Sequence, residues 1–347
     1  MSKHTAEVII IGGGVNGCAA AYYLAKAGMK DVIVLEGSPS IGHGGSSRNG
    51  GGVRQSGRDV RELPYAMYAV QNMWPTLSEE LGVDLEYYQK GNLRLGKTDA
   101  HMEKLRNLAA NANSLGLDNP MLTTLAYYKG ATELGVNFFT DAKVAALEKV
   151  KGKLRKVILE SGEVFEADKV ILAAGYESRF IARTVGIDVP MTKYFEEALV
   201  TEVQPHMFDI MLGVASADFY GHQSQHGSFV FGSDSGLEET TDMGLDELRT
   251  SPLTVSAGCR AIMGYIPMLA DAKIVRTWGG WLDLCYDGVP VISDVDEVPG
   301  LILACGFTGH GFGTAPAVGL MLSQMVLGEK TVVDISSLRY DRFKAVR

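Results

Sequence analysis

Residues 8–36 constrain this chain more than any other stretch. Val8-Ile9-Ile10-Ile11 is an unbroken run of β-branched residues, the pattern of a parallel strand buried on both faces. Gly12, Gly14 and Gly17 follow at G-x-G-x-x-G spacing. The Ala-rich stretch 19–27 predicts a helix, and Gly28 stands where a helix closes on a left-handed residue. Asp31 to Glu36 predicts a second strand that ends in an acid. Each part has a physical role. Gly12 permits the tight turn, Gly14 lets a pyrophosphate approach the backbone, and Gly17 lets helix and strand pack closely. The helix N-terminus offers free N–H groups to phosphates. Glu36 stands where a carboxylate accepts hydrogen bonds from ribose hydroxyls, and its charge repels a 2′-phosphate, which disfavours NADP. Set between strand, helix, strand and acid, the spacing predicts a dinucleotide site. A glycine turn in an ordinary βαβ unit is the alternative. The motif does not choose between FAD and NAD.

The charge balance narrows the partners. The net charge of −9 is spread along 347 residues with no Lys/Arg cluster, which argues against nucleic acid and against an anionic membrane surface but not against a protein partner. Cys18, Cys259, Cys285 and Cys305 are scattered without a C-x-x-C pair, so buried thiols are expected rather than metal ligands or disulfides. The first core strand begins within about ten residues of the start, leaving no room for a signal peptide. No apolar run approaches the ~18 residues of a membrane span. The cytoplasm is the expected location, with peripheral attachment to the inner membrane left open.

Glycines, 41 in all, cluster again in two further loops. The stretch 42–55 holds six glycines, Ser46, Ser47, Arg48 and Arg54, more than a turn needs and suited to phosphate or flavin edges. A flexible surface loop is the bland reading. Asp59 predicts the cap of a helix over 60–81, residues 87–95 two short strands, and Asp99 the cap of a helix to about Leu115. Asn119-Pro120 starts a helix to Gly135, and a meander of short strands over 144–165 precedes an apolar strand, 168–175. From 190 to 300 the pattern turns to strands with one clear helix, about 254–263. Leu301 to Cys305 is a last buried strand. It runs through a glycine loop, 306–314, into a helix over 315–327 and so repeats the opening logic. Both ends of the chain therefore belong to one cofactor domain (1–82, 136–190 and 300–347), with a substrate domain (83–135 and 191–299) inserted between.

Taken together, GGGVNGCAAA near the start, LEGS at 35–38, GGSSRNGGGVRQ at 44–55, VILAAG at 170–175, RTWGGW at 276–281 and CGFTGHGFGTAPAVG at 305–319 resemble the FAD-dependent D-amino-acid oxidase superfamily. Within it the chain looks most like the branch of glycine and sarcosine oxidases and the β subunits of dye-linked proline, hydroxyproline and opine dehydrogenases and of hydrogen cyanide synthase. The resemblance implies an α/β (α+β) fold: a Rossmann-type FAD domain with an inserted antiparallel-sheet substrate domain that roofs the flavin. It places the pyrophosphate at Gly12, Gly14, Val15, Asn16 and Gly17, and the adenosine ribose at Glu36, with Gly37 and Ser38 beside it. Ser46, Ser47, Arg48 and Asn49 would meet phosphates and ribityl chain, and Gly51, Gly52 and Val53 would run past the ring. Val144, Ala174 and Gly175 would pass near adenine. Gly306, Gly309, His310, Gly311, Phe312 and Gly313 would hold the pyrimidine edge, with the helix after Thr314 stabilising negative charge there.

Departures from the family pattern sharpen the expectation. Trp278 stands where monomeric sarcosine oxidases carry the cysteine that anchors flavin covalently, so FAD is expected to be non-covalent. The strand Phe229-Val230-Phe231 lacks their oxygen-activating lysine, which favours a dehydrogenase passing electrons to a partner or quinone. The segment Gly280-Trp281-Leu282-Asp283 lacks the carboxylate-binding arginine of glycine oxidase, so Arg54 is the candidate for that task, with Tyr220 and Trp281 as pocket walls. His310 is expected to shape the flavin loop; His222 and His226 are read as exposed loop histidines. Asp118-Asn119 joins two helices directly where relatives carry several tens of residues more. The implied reaction is oxidation of a C–N bond in a proline-, sarcosine-, glycine-, opine- or D-amino-acid-like substrate, by hydride transfer to flavin N5. An α subunit or a quinone or dye acceptor is the expected partner, in an oligomer. A non-catalytic FAD-binding electron-transfer or scaffold subunit is the alternative.

Overall fold

A computed structural model describes residues 4–54, 58–109, 114–117, 120–216, 219–233, 240–241 and 250–346. β1 (His4–Ile11) turns through Gly12–Gly14 into α1 (Val15–Lys26) and returns as β2 (Val32–Leu35). β3 (Gly52–Arg54) closes the glycine-rich loop, and α2 (Leu63–Tyr68), a π turn (Ala69–Met73) and α3 (Trp74–Leu81) form one helical run. β4 (Tyr87–Tyr88), β5 (Asn92–Leu95), α4 (Asp99–Ala109) and β6 (Ser114–Leu117) precede α5 (Pro120–Glu133) and β7 (Asn137–Phe139). The meander is β8 (Val144–Val150), β9 (Lys153–Leu159) and β10 (Val164–Leu172). After α6 (Glu177–Arg183) come β11 (Met191–Val203), β12 (Met211–Val214), β13 (Phe219–Gln223), β14 (Ser228–Ser233) and β15 (Thr240–Thr241). The chain ends through α7 (Pro252–Tyr265), β16 (Ile274–Cys285), β17 (Val291–Asp294), β18 (Leu301–Cys305) and α8 (Gly311–Leu327).

The first sheet has eight strands in the order β17-β18-β10-β1-β2-β7, with β9 pairing β10 and β8 pairing β9. Its centre is parallel, and the register sets Ile11 opposite both Leu35 and Leu172. Three carboxyl strand ends therefore stop level, and Gly12, Glu36 and Ala173 share one edge, the place where open α/β sheets bind ligands. Gly12 N donates to Leu35 O at 2.8 Å and Ala173 N to Ile11 O at 2.9 Å, which pins that edge. The helical layer over it is tight. Cys18, Ala19, Ala20, Ala21 and Leu24 of α1 are fully buried, and a Cβ on Gly319 of α8 would lie 2.5 Å from Ala19 Cβ. Small residues at this crossing let the two helices touch backbone to backbone, which is why an alanine-rich segment became a core helix. α5 also packs on α1, and β17 pairs antiparallel with β18.

The second sheet has seven strands in the order β15-β11-β14-β13-β12-β5, with β16 on β11. One face packs Leu199, Leu212, Phe219, Phe229 and Phe231 against Ile262 of α7. β3, β6 and β4 form a third, small antiparallel sheet.

Several local expectations are corrected. The helix over 60–81 starts at Leu63, because Asp59 spends its carboxylate on Arg61 N (2.9 Å) and on the Arg61 guanidinium rather than capping. It widens into a π turn just before Pro75, which has no N–H to give the carbonyl four residues back. The helix opened by Asp99 ends at Ala109, with Thr98 Oγ1 accepting His101 N at its start; Ser114–Leu117 is instead a strand, drawn out by pairing with β3 and β4. The strand read at 168–175 begins at Val164; it runs parallel to β1 from Phe165 to Leu172, and pairs antiparallel to β9 at 164–166 and parallel to β18 at 170–172. α8 begins at Gly311, not after Thr314, so its first turn is made of glycine-loop residues. His222 lies buried within β13, while His226 is exposed. Gly28 does close α1, at φ +97°. Cys18, Cys285 and Cys305 are buried free thiols, and Cys259 is a half-buried one.

Candidate functional site

A cavity of about 500 Å³ opens along the edge where the parallel strands end. Gly12 adopts φ +110°, and a Cβ there would lie 2.4 Å from Ala173 O. A Cβ on Gly17 would lie 2.0 Å from Gly12 O, so this turn and helix can approach only with glycines at both positions. Glu36 is already oriented: its Oε2 accepts Gly13 N at 2.7 Å and its Oε1 accepts Ser38 N at 2.8 Å. The first turn of α1 holds no acid and Gly14 provides no side-chain cap; Ser46 Oγ accepts Val15 N at 2.9 Å. The 42–54 loop braces itself. Asn49 Nδ2 donates to Ser46 O at 2.8 Å, and Gly51 N donates to Asn49 Oδ1 at 2.9 Å. Trp278 Nε1 donates to Arg48 O at 2.9 Å and ties the loop to the second sheet.

Gly12, Gly14, Val15, Asn16, Glu36, Gly37, Ser38, Ser46, Arg48, Asn49, Val144, Ala174, Gly175, Gly309, Gly311, Phe312 and Trp281 all line this cavity. Gly17, Ser47, Gly51, Val53 and Gly306 do not; Gly17 lies beneath the turn and Val53 is fully buried. Gly52, His310, Gly313 and Tyr220 line a second, smaller cavity of about 90 Å³. Asn49, Gly309 and Phe312 line both cavities. The backbone of Arg54 belongs to β3, and its side chain lies outside the described residues, as does the Asp118-Asn119 junction.

Sequence reasoning missed the residues that build the second cavity: Asn92 and Arg94 of β5, Glu196 of β11 and Met211 of β12. Their strands carry no motif, and only the pairing of distant segments brings them together. It also missed Asp283, which stands where the family arginine was sought. Asp283 Oδ2 accepts Gly306 N at 2.8 Å and its carbonyl accepts Thr308 N at 3.1 Å, so it fastens the closing glycine loop. Burial pushes its carboxyl up to about 6, against the pull of the backbone N–H groups of Phe307 and Gly306. A third missed group is the buried Glu62. It pairs with Arg58 at 3.1 Å and accepts from His310 Nδ1 at 3.2 Å, and Arg58 Nη2 donates to His310 O at 3.3 Å. That network sets the tautomer and position of His310 at the start of α8.

The donor set of the larger cavity fits FAD. Asn16 Oδ1 is buried without a partner, in a side chain whose Nδ2 would be 3.2 Å from a Cβ on Gly311. Asn16 therefore sits between the N-termini of α1 and α8, two helix starts whose N-cap residues make no side-chain bond and whose first turns hold no acid. One such end suits a pyrophosphate and the other an electron-rich ring edge. A profile of the family described as "DAO: FAD dependent oxidoreductase" matches residues 7–124 and 117–325. The two pieces meet where the shortened junction was placed. The β subunit of sarcosine oxidase from Rhizobium meliloti (strain 1021) is 26% identical over 377 residues, covering 97% of this chain and 88% of that protein. That alignment is longer than the chain itself, so the relative carries residues this chain lacks. L-Proline dehydrogenase from P. horikoshii superposes with TM-score 0.88 at 24% identity, covering 100% of both chains. Glycine oxidase from Geobacillus kaustophilus superposes with TM-score 0.87 at 20% identity, covering 98% of this chain and 99% of its own. These likenesses show the mixed α/β fold. With the family profile matching nearly the whole chain, this protein belongs to the DAO family of FAD-dependent oxidoreductases.

Proposed function

We propose that the protein oxidises the C–N bond of a small amino acid or N-alkyl amino acid held in the second cavity. When bound, FAD supplies the two-electron acceptor. The observation that carries this reading is the wall that the two cavities share at Asn49, Gly309 and Phe312: a polar chamber is lined by the loop expected to hold the flavin's pyrimidine edge. That chamber offers a guanidinium (Arg94), a carboxylate (Glu196), a phenol (Tyr220) and an imidazole (His310). This complement suits a zwitterion better than a hydrocarbon or a sugar. The glycines on its walls let substrate approach the backbone, and the roof sheet excludes water. No strong base is required of the chain when the amine enters uncharged. In the cofactor cleft, Asn16, Glu36, Ser46 and Arg48 would hold the non-reacting part, and Asp283 holds the loop that would meet the ring.

The electron acceptor is proposed to be a partner protein, a quinone or a dye rather than oxygen. Phe229 and Phe231 are packed in the core of the second sheet, and Val230 between them supplies no charge. A relative named as a β subunit supports assembly with a second subunit. No helix of the described residues is long and apolar enough to cross a membrane. A steady-state screen of amines with a dye acceptor, run with and without oxygen, tests this. Dye reduction that proceeds equally in the absence of oxygen is expected; turnover that needs oxygen would reverse the acceptor assignment.

A further inference from the structure

The second cavity contains a guanidinium with no partner among the described residues. Arg94 makes no hydrogen bond or ion pair, unlike Arg48, Arg58 and Arg61, whose guanidiniums engage the His43 carbonyl, Glu62, and Asp59 with Asp287. Burial alone lowers the pKa of Arg94 from its usual value, yet a guanidinium stays charged at neutral pH. A half-buried charge without a counter-ion costs stability unless a ligand completes it.

The sheet register says where this charge is aimed. Arg94 stands opposite Gly213 of β12, Gly213 opposite Tyr220 of β13, Tyr220 opposite Gly232 of β14, and Gly232 opposite Ala198 of β11. Directly opposed residues share a face, so these five form one row across the sheet. The two glycines are spaces in that row that side chains fill. A Cβ on Gly213 would lie 3.2 Å from Cδ and Nη1 of Arg94, and one on Gly232 would lie 2.4–2.7 Å from the Tyr220 ring and hydroxyl. Arg94 therefore lies down across Gly213 toward Tyr220 instead of standing out from the sheet edge. Tyr220 lies across Gly232, and its ring comes within 3.3 Å of a Cβ built on Gly50 in the flavin-facing loop. A planar fork beside a phenol, at the wall of a cavity, is the arrangement that holds a carboxylate by two parallel hydrogen bonds. Glu196 lines the same cavity with the opposite charge.

We infer that Arg94 and Tyr220 form the carboxylate subsite, so that the anchor for the substrate comes from edge strand β5 of the roof rather than from Arg54 or the Gly280–Asp283 segment. This rests on the amino-acid oxidation proposed above and names the residue that selects acids within it.

The test uses the flavin-loaded protein. Acetate and acetamide, equal in size and different in charge, are titrated against the visible spectrum of the bound flavin in wild type, Arg94→Met, Arg94→Lys and Gly213→Ala. Wild type is expected to bind acetate at least about 30-fold more tightly than acetamide, as loss of a charged hydrogen-bonded pair implies. Arg94→Met should bring the ratio to within about threefold, Arg94→Lys should restore part of it, and Gly213→Ala should reduce it by displacing the arginine. Flavin content confirms that each variant is folded, and Gly213→Ala carries the test if Arg94→Met does not load flavin. A ratio that persists in Arg94→Met, or in Gly213→Ala, overturns the inference. So does a wild type that binds the two probes equally. The titration needs no turnover, so it answers separately from the oxidation itself. If no amine is oxidised while acetate still depends on Arg94, the functional reading fails and the subsite stands.

Discussion

Asp283 accepts the backbone N–H of Gly306 at 2.8 Å on its carboxylate and that of Thr308 at 3.1 Å on its carbonyl, and through these bonds β16 holds the glycine loop that leads into α8. The carboxylate lies half-buried at the wall of the larger cavity, and burial raises it to about 6. Its folded pKa lies above the ordinary aspartate value of about 3.8. Its contribution is therefore complete below about pH 4, where both states are protonated, and is lost as pH rises through about 6. The loss amounts to roughly 3 kcal/mol for a shift of about two units. Asp283→Asn should flatten the fall in unfolding free energy between pH 4 and 6, measured by denaturant titration at several pH values. An unchanged slope would place the effect on another group. Asp188 behaves oppositely and in a separate window. Its hydrogen bonds from Arg179 and then Arg183 hold its carboxyl down to about 2, so its stabilisation is lost only as pH falls from about 4 toward that value.

Gly17→Ala should unfold the cofactor turn. The added Cβ meets a backbone oxygen at 2.0 Å, with no flexible side chain to yield. A loss of about 3 kcal/mol or more in the flavin-free protein is expected, read by thermal or chemical denaturation. A variant as stable as wild type would show that the helix can shift away from β1.

Glu36→Ala should lower flavin retention after gel filtration. It removes the acceptor of Gly13 N and Ser38 N as well as the proposed ribose partner, and each N–H left without a partner costs about 1–3 kcal/mol. The ratio of flavin to protein is the readout. Full occupancy would take Glu36 out of the ribose role.

Glu62→Gln leaves the Arg58 guanidinium, whose side chain is 2% exposed, without its counter-charge. The expected cost is about 3–5 kcal/mol, and Arg58→Met in the same chain should recover most of it. A double variant no better than the single one would show that the pair contributes shape rather than charge balance.

The first sheet and the cavity at its edge were legible because their signals are local. G-x-G-x-x-G, Glu36 and the loop 306–314 are each read within one turn of chain, and the level ends of β1, β2 and β10 follow from their apolar runs. The cavity proposed for the substrate was not, because it is made by register. Arg94 is one arginine on a four-residue strand, and nothing near it in the chain says that it will face Tyr220 across Gly213. His222 was read as a loop residue because its neighbours are polar and glycine-rich. Pairing with β14 buries it all the same. The helix expected to run to Leu115 failed for the same reason: β6 is held by partners some thirty and sixty residues away in sequence, Tyr88 and Val53 among them.

The central claim, that this family member takes two electrons from an amino-acid C–N bond, is tested most directly by anaerobic titration of the purified flavoprotein. Sarcosine, proline, glycine and D-amino acids are added in turn while the absorbance of oxidised flavin is followed. The account predicts full bleaching by at least one of them, at one equivalent of imine-derived product per flavin. A flavin that stays oxidised through the whole series, at concentrations well above those that saturate acetate binding, would contradict it and leave a flavin-binding subunit that passes electrons without extracting them.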